Sequence, residues 1–248
     1  MEYALRSVGL TYADRHMLHA HSHPWGQLIF AVHGTMRVEA ADMLWLVPPG
    51  RALWAPPGVT HAIEARGALG LRTVYVPPER AGALPAVCTA MEADDLLRAL
   101  ILHIVEDRQM LEAGNDVDER LAGVFLDRLA AAPRLMLNLP MPRDSRMKTL
   151  AFRLHMMPNS THTLPRLAKA AGASARTVQR VFLEETGMRF VEWRQRLRLI
   201  HAIIALENGA SVTAAGTGAG YASTSAFIAA FRAQTGETPA KFKRTRPR

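Results

Sequence analysis

The chain has 248 residues, 49% of them hydrophobic, and a formal net charge of +8. That length and apolar content exclude a largely disordered chain and fit two domains better than one. A single cysteine, Cys88, excludes an intrachain disulfide and fits a reducing cytoplasm, and no apolar run approaches the roughly 20 residues of a membrane span.

The charge is unevenly spread. Residues 1–140 hold 12 Arg and no Lys against 16 Asp and Glu, a net −4, whereas residues 141–248 hold 18 basic against 6 acidic residues, a net +12. A nucleic acid or another anionic partner is therefore expected for the C-terminal part alone, with binding that weakens steeply as salt rises.

In chain order, the opening MEYALRSVGL lacks the basic stretch and long apolar core of a signal peptide. From Leu28 to Val76 the sequence reads as β. LIFAVHG, MRVEA, MLWLVPPG, ALWAPPG and LRTVYVPP are each short, rich in Val, Ile, Leu or Trp, and end in a turn. Short, evenly spaced strands predict a sandwich or barrel. His21 and His23 point to one face of an extended segment, and Gln27 follows with the same parity. If His61 arrives from a neighbouring strand, four nitrogen or oxygen donors converge inside the barrel. Trp25, Trp45, Trp54 and Phe30 could line such a pocket or belong to the core.

These residues resemble the two cupin motifs: His21-Ser-His23 with Gly34 behind it, then Pro56-Pro-Gly58-Val-Thr-His61. Gln27 departs from the pattern, since cupins place Glu there. Three imidazoles can still hold a divalent metal such as zinc or nickel, so His21, His23 and His61 are expected either as ligands or as residues of a metal-free pocket. The expected pocket comprises His21, His23, Trp25, Gln27, Trp54 and His61.

Two helical stripes follow, Leu96-Leu97-Leu100-Ile101-Ile104-Val105 and Leu121-Val124-Phe125-Leu129. They should cover the barrel and pair with a second subunit as a homodimer. Residues 133–145, with three prolines, are the expected linker.

The last third contains a repeat. Ser174, Val178, Phe182, Thr186, Gly187 and Trp193 recur 49 residues later as Ser223, Phe227, Phe231, Thr235, Gly236 and Phe242. Each copy has a capping Ser, a two-turn apolar face, a Thr-Gly stop and an aromatic residue, and each follows a short helix and a Gly-containing turn. That is the layout of a helix-turn-helix. In the first copy Val178, Val181 and Phe182 face a core, while Arg176, Gln179 and Arg180 project outward. Arg can pair with guanine O6 and N7, and Gln with adenine N6 and N7, as a major-groove helix requires. The basic run Lys241–Arg248 is expected as a mobile, phosphate-contacting tail.

With both halves read, the chain resembles the AraC/XylS family of transcription regulators. The specific stretches are LPRLAKAAGASARTVQRVFLEETG, VEWRQRLRLIHAIIALENG and GYASTSAFIAAFRAQTGETPAKFK. The resemblance implies two helix-turn-helix units joined by a long helix, with base contacts from Arg176, Gln179 and Arg180 and, in the second unit, from Thr224, Ser225 and Ile228. Ala229 stands where relatives often carry a long polar residue, and Arg198 matches an arginine that is structural in the family. Gly216 and Gly218 should each weaken a helix by about 1 kcal/mol, leaving the second unit looser.

The expected architecture is α+β and multidomain. A cupin-like ligand-sensing β-barrel (1–90) leads to a helical dimerisation segment (91–132), a linker (133–145) and an all-α DNA-binding domain with two helix-turn-helix units (146–248). The expected function is ligand-responsive, sequence-specific regulation of transcription in the cytoplasm. The partners are double-stranded DNA, a small-molecule effector and, for an activator, RNA polymerase. The rival is a metal-dependent cupin enzyme fused to a DNA-binding domain.

Overall fold

The computed structural model describes residues 3–244. The chain divides into two compact units, Met1–Asn138 and Leu139–Arg248. The first is built on an antiparallel sheet with strands β1 (Tyr3–Tyr12), β2 (Met17–His21), β3 (Gly26–Ala40), β4 (Met43–Val47), β5 (Arg51–Ala55), β6 (His61–Val76), β7 (Thr89–Glu92), β8 (Met110–Glu112) and β9 (Arg134–Leu135).

The two long strands are the spine. β3 and β6 pair from Gly26 opposite Val76 to Ala40 opposite His61, with register shifts around His33. One half of this ribbon carries β1 and β5 on its flanks, and the other half carries β2 and β4. The result is the cupin-like roll that the short strands predict. Gly34 is expected to end a strand, but β3 runs on through the bend. Gly34 has φ 74°, and a Cβ there would lie 2.3 Å from the Ala68 carbonyl oxygen. Only glycine can hold the chain in that path. A further difference is β1, which precedes the first expected β segment.

Strand parity sorts the side chains into two sets. Leu5, Leu28, Phe30, Trp54, Val74 and Val76 share a core with two helices, α1 (Asp95–His103) and α2 (Asp116–Ala131), through Leu97, Ile101, Phe125 and Leu129. The other set forms a register row across four strands, with Gln27 opposite Tyr75, Tyr75 opposite Arg6, and Arg6 opposite Met110. The two helices thus cover the roll, as the apolar stripes predict, and share one core with it. Asp94 and Asn115 cap the two helices by accepting from backbone N–H groups of the first turn.

A π-helical stretch, Ile104–Arg108, continues α1 and ends at Gln109, a non-glycine residue at φ 60°. The Gln109 carbonyl accepts from both the Ser7 N–H and the Ser7 hydroxyl, which ties this turn to β1. The boundary between the two units falls inside the proline-rich segment 133–145, between Asn138 and Leu139, and the two ends of that segment are taken up by the units they adjoin. Leu135 pairs with Ala90, the Leu137 carbonyl accepts from the Leu46 N–H, and Ser145 already opens a helix capped by Asp144.

The second unit comprises α3 (Ser145–Met156), α4 (Leu164–Ala170), α5 (Ala175–Thr186), α6 (Phe190–Glu207), α7 (Val212–Gly218), α8 (Thr224–Thr235) and α9 (Pro239–Arg244). The repeat is reproduced bond for bond. Ser174 and Ser223 cap α5 and α8, and Gly187 and Gly236 end them in the left-handed conformation. In each copy the stop threonine donates to the carbonyl four residues back, Thr186 to Phe182 and Thr235 to Phe231. Phe182 meets Trp193 edge to face at 5.3 Å, and Phe231 meets Phe242 at 5.3 Å. Such pairs contribute about 0.5–1.5 kcal/mol beyond area burial.

Two expectations for this unit need correction. Gly216 is not a weak point: it is buried, and a Cβ there would lie 2.8 Å from the Phe227 ring. Gly218 is exposed, and a methyl added there would meet nothing within 4 Å, so the helix-propensity argument holds for it alone. The basic tail is ordered at its start. Lys241 and Lys243 lie on α9, and Lys243 Nζ donates to the Gly209 and Ala210 carbonyls at the end of α6. Residues 245–248 of the expected tail lie outside the described residues.

Candidate functional site

In the first unit, β2 and β6 pair so that His21 stands opposite His61, and His23 follows two residues past the end of β2. The three rings cluster: His21 lies 4.5 Å from His61 and His23 lies 5.3 Å from it, centroid to centroid. One ligand atom from each lies within 4.8 Å of the others. The Nδ1 atoms of His21 and His61 face the His19 and Val59 carbonyls at 2.8 and 3.0 Å, which leaves each Nε2 as a lone-pair donor. His61 is buried, and burial pushes its imidazole below the usual value, favouring the neutral, ligating form. Its Nε2 has no hydrogen-bond partner among the described residues.

Gln27 is fixed by its neighbours. Thr73 Oγ1 donates to the Leu28 carbonyl and accepts from Gln27 Nε2 at 2.8 Å, so Gln27 Oε1 turns toward His23 Nε2 at 2.9 Å. His23 Nδ1 faces the Trp25 carbonyl at 2.6 Å. Both ring nitrogens thus face oxygen acceptors, which a neutral imidazole satisfies at only one of them. A cation shared by His23 Nε2 and Gln27 Oε1 would remove the conflict. The orphaned His61 nitrogen and this mismatch both fit a late divalent metal held by His21, His23 and His61. Bound there, it would supply a Lewis-acidic charge to an oxygen or nitrogen of a small molecule. Purified protein is expected to take up zinc or nickel near one equivalent, and His61→Ala to lose most of it. Protein that stays metal-free on titration with both ions rules the centre out.

Beside the histidines lies a cavity of about 440 Å³, lined by Arg6, Val8, His23, Trp25, Tyr75 and Met110 among others. Of the six expected pocket residues, His23 and Trp25 line it. His21, Gln27 and His61 belong to the cluster next to it, linked through His23. Trp54 does not approach it. Trp54 pairs with Leu28, one residue out of phase with Gln27, so it turns to the helix-covered core and its Nε1 donates to the Pro85 carbonyl at 2.9 Å. Arg6, Tyr75 and Met110 line the cavity without being among the expected residues. The alternation of Arg6, Val8, Leu10 and Tyr12 is the sequence signal for such a one-faced strand.

In the second unit, α5 buries Val178, Val181 and Phe182 and leaves Arg176, Gln179 and Arg180 exposed. Arg180 pairs with Glu184 at 2.6 Å, one turn on. The three side chains line a groove of about 830 Å³ with Arg189 and Gln195 from the start of α6. On α8, Phe227 and Phe231 are buried, Ser225, Ile228 and Ala229 are exposed, and Thr224 is half-buried at the first turn. Arg198 donates to the Pro158 and Ser160 carbonyls and so holds the loop between α3 and α4.

A chamber for a small molecule in one unit and a duplicated, basic helix-turn-helix in the other go together in one class of protein, the ligand-responsive DNA-binding regulator of transcription. Residues 8–125 match the AraC-like ligand binding domain, and residues 167–245 match a helix-turn-helix domain. The chain belongs to the AraC family of helix-turn-helix transcriptional regulators. It is 32% identical to the HTH-type transcriptional regulator NimR of Escherichia coli (strain K12) over 222 residues, which cover 90% of this chain and 81% of that protein. The HTH-type transcriptional regulator RipA of Corynebacterium glutamicum is 38% identical over 122 residues, 49% of this chain and 35% of RipA. Among solved structures, ToxT from Vibrio cholerae aligns over 97% of this chain and 98% of its own, with 10% identity and a TM-score of 0.41.

Proposed function

We propose that this chain is a cytoplasmic, homodimeric regulator whose helix α5 reads base edges through Arg176, Gln179 and Arg180. Helix α8, with Thr224, Ser225 and Ile228, grips the duplex with weaker readout, because none of these side chains can make a bidentate contact to a base. The observation that carries this reading is the division of α5. One face is sealed into the core, and the opposite face offers three long hydrogen-bonding side chains in a unit of strongly positive charge.

The effector binds in the cavity beside His23 and shifts the protein between two states, which requires that it interact differently with each. The roll acts as a sensor and not as a catalyst. Gln27 supplies a neutral amide oxygen where a metal-dependent cupin enzyme would use a carboxylate, so the cluster lacks the negative charge of a catalytic metal site. Dimerisation is supported by the exposed apolar residues Val117 and Val124 on α2 and Leu96 on α1, left over after the core is filled. An activator of this kind would also touch RNA polymerase.

Footprinting of the fragment 139–248, which is a compact unit by itself, on a site selected from random DNA is the test. Two reading helices on one stiff connector should reach major grooves about 34 Å apart and protect close to two turns. The fragment should bind one such site more weakly than the full chain, since a second linked site no longer raises the effective concentration. Protection of a single groove would show that α8 stays out of the DNA.

A further inference from the structure

The cavity in the first unit carries more information than its size. We propose that its ligand is a small carboxylate with a flat apolar body, the carboxylate paired with Arg6 and the ring laid against Trp25. This rests on the reading of the cavity as the effector chamber and names the class of effector.

Arg6 stands in the row that joins Met110, Tyr75 and Gln27 across four strands, so its side chain projects from the cavity face of β1. Its guanidinium lies over the Tyr3 ring at 5.4 Å and the Trp25 ring at 5.7 Å from the centroids. The aromatic faces hold the guanidinium plane and leave its edge of N–H donors to a ligand. Among the described residues Arg6 forms no ion pair, and no lining residue of the cavity is acidic. A planar fork without a counter-ion, in a chamber whose lining is otherwise uncharged apart from the titratable His23, matches a carboxylate bidentately.

The remaining groups fit the same ligand. Val8, Pro24, Trp25 and Met110 give an apolar wall suited to a ring. The Ser7 hydroxyl is already committed to the Ile104 and Gln109 carbonyls, so it does not compete as a polar anchor. Tyr75 accepts from Gln27, and a phenol, with an ordinary value of about 10, is neutral at pH 7. It therefore presents no second negative charge against a carboxylate.

The test uses the full chain, titrated calorimetrically with benzoate, phenylacetate, cinnamate and indole-3-acetate and with the primary amide of each. Arg6 remains open to solvent, so its pairing is screened. A preference of about tenfold for at least one carboxylate over its amide is expected in the unaltered protein. Arg6→Gln should abolish that preference by weakening the carboxylate more than its amide, and Arg6→Lys should keep part of it. The proposal is overturned if no carboxylate binds at millimolar concentration, if the amides bind as well, or if Arg6→Gln keeps the preference. The comparison in unaltered protein stands even if a variant folds poorly.

A third variant separates this proposal from the reading beneath it. Val8→Phe narrows the chamber and should weaken every ligand that enters it. If carboxylates and amides bind equally and both are weakened by Val8→Phe, the chamber stands and the charge assignment fails. If binding persists unchanged in Val8→Phe, the cavity is not the ligand's site, and the chamber reading fails with the proposal.

Discussion

Arg180→Ala weakens binding to a selected DNA site by about 1–3 kcal/mol, roughly one to two powers of ten, and leaves binding to random DNA nearly unchanged. In free protein Arg180 is paired with Glu184, and both side chains are more than half exposed. An exposed pair one turn apart contributes only about 0.3–0.5 kcal/mol. A bidentate contact to guanine is several times stronger, so DNA can draw Arg180 away from Glu184 at little cost. Titration of both DNA types by fluorescence anisotropy measures the effect. An equal loss on specific and random DNA would assign Arg180 to phosphate and remove it from sequence readout.

Alanine at two glycines of α7 should act in opposite directions. At Gly218 the helix is exposed and open, so Gly218→Ala should stabilise the second unit by up to about 1 kcal/mol. At Gly216 the added methyl would meet Phe227 Cδ1, Cγ and Cβ at 2.8–3.0 Å. These atoms lie at the root of a buried ring that cannot swing away. Overpacking of this kind costs about 1–3 kcal/mol, more than the gain in helix propensity. Urea unfolding of the fragment 139–248 reads both. Stabilisation by Gly216→Ala would mean that α7 and α8 slide apart more easily than their packing indicates.

Much of the second unit is legible in the sequence because its signals are local. A capping Ser, an apolar face at i, i+4 and i+8, and a Thr-Gly stop are satisfied within one helix, and two copies confirm each other. The first unit is less legible because its geometry depends on register. Short motifs suffice to find the three histidines, yet Trp54, expected in the pocket, is turned to the core by its pairing with Leu28. Propensity names a residue that can fill a pocket; only the pairing says on which side of the sheet it lies. Arg6 escapes notice for the same reason, since β1 is a marginal strand until β6 and β8 flank it. Gly216 shows a further limit. Helix propensity gives the correct local penalty, but the ring that requires the glycine is eleven residues away.

The duplication has a consequence for how such a regulator changes over generations. Each copy has its own cap, its own stop and its own edge-to-face aromatic pair. The outward positions of α8, Ser225, Ile228 and Ala229, take no part in that framework. Replacements there leave folding intact and alter only what the duplex meets. On the proposed reading, the half of the operator beneath α5 is held in place by Arg176, Gln179 and Arg180, whereas the half beneath α8 is free to drift. Relatives that share this α5 should therefore recognise sites alike on one side and divergent on the other, and a longer polar residue at position 229 is a short mutational path to a new target.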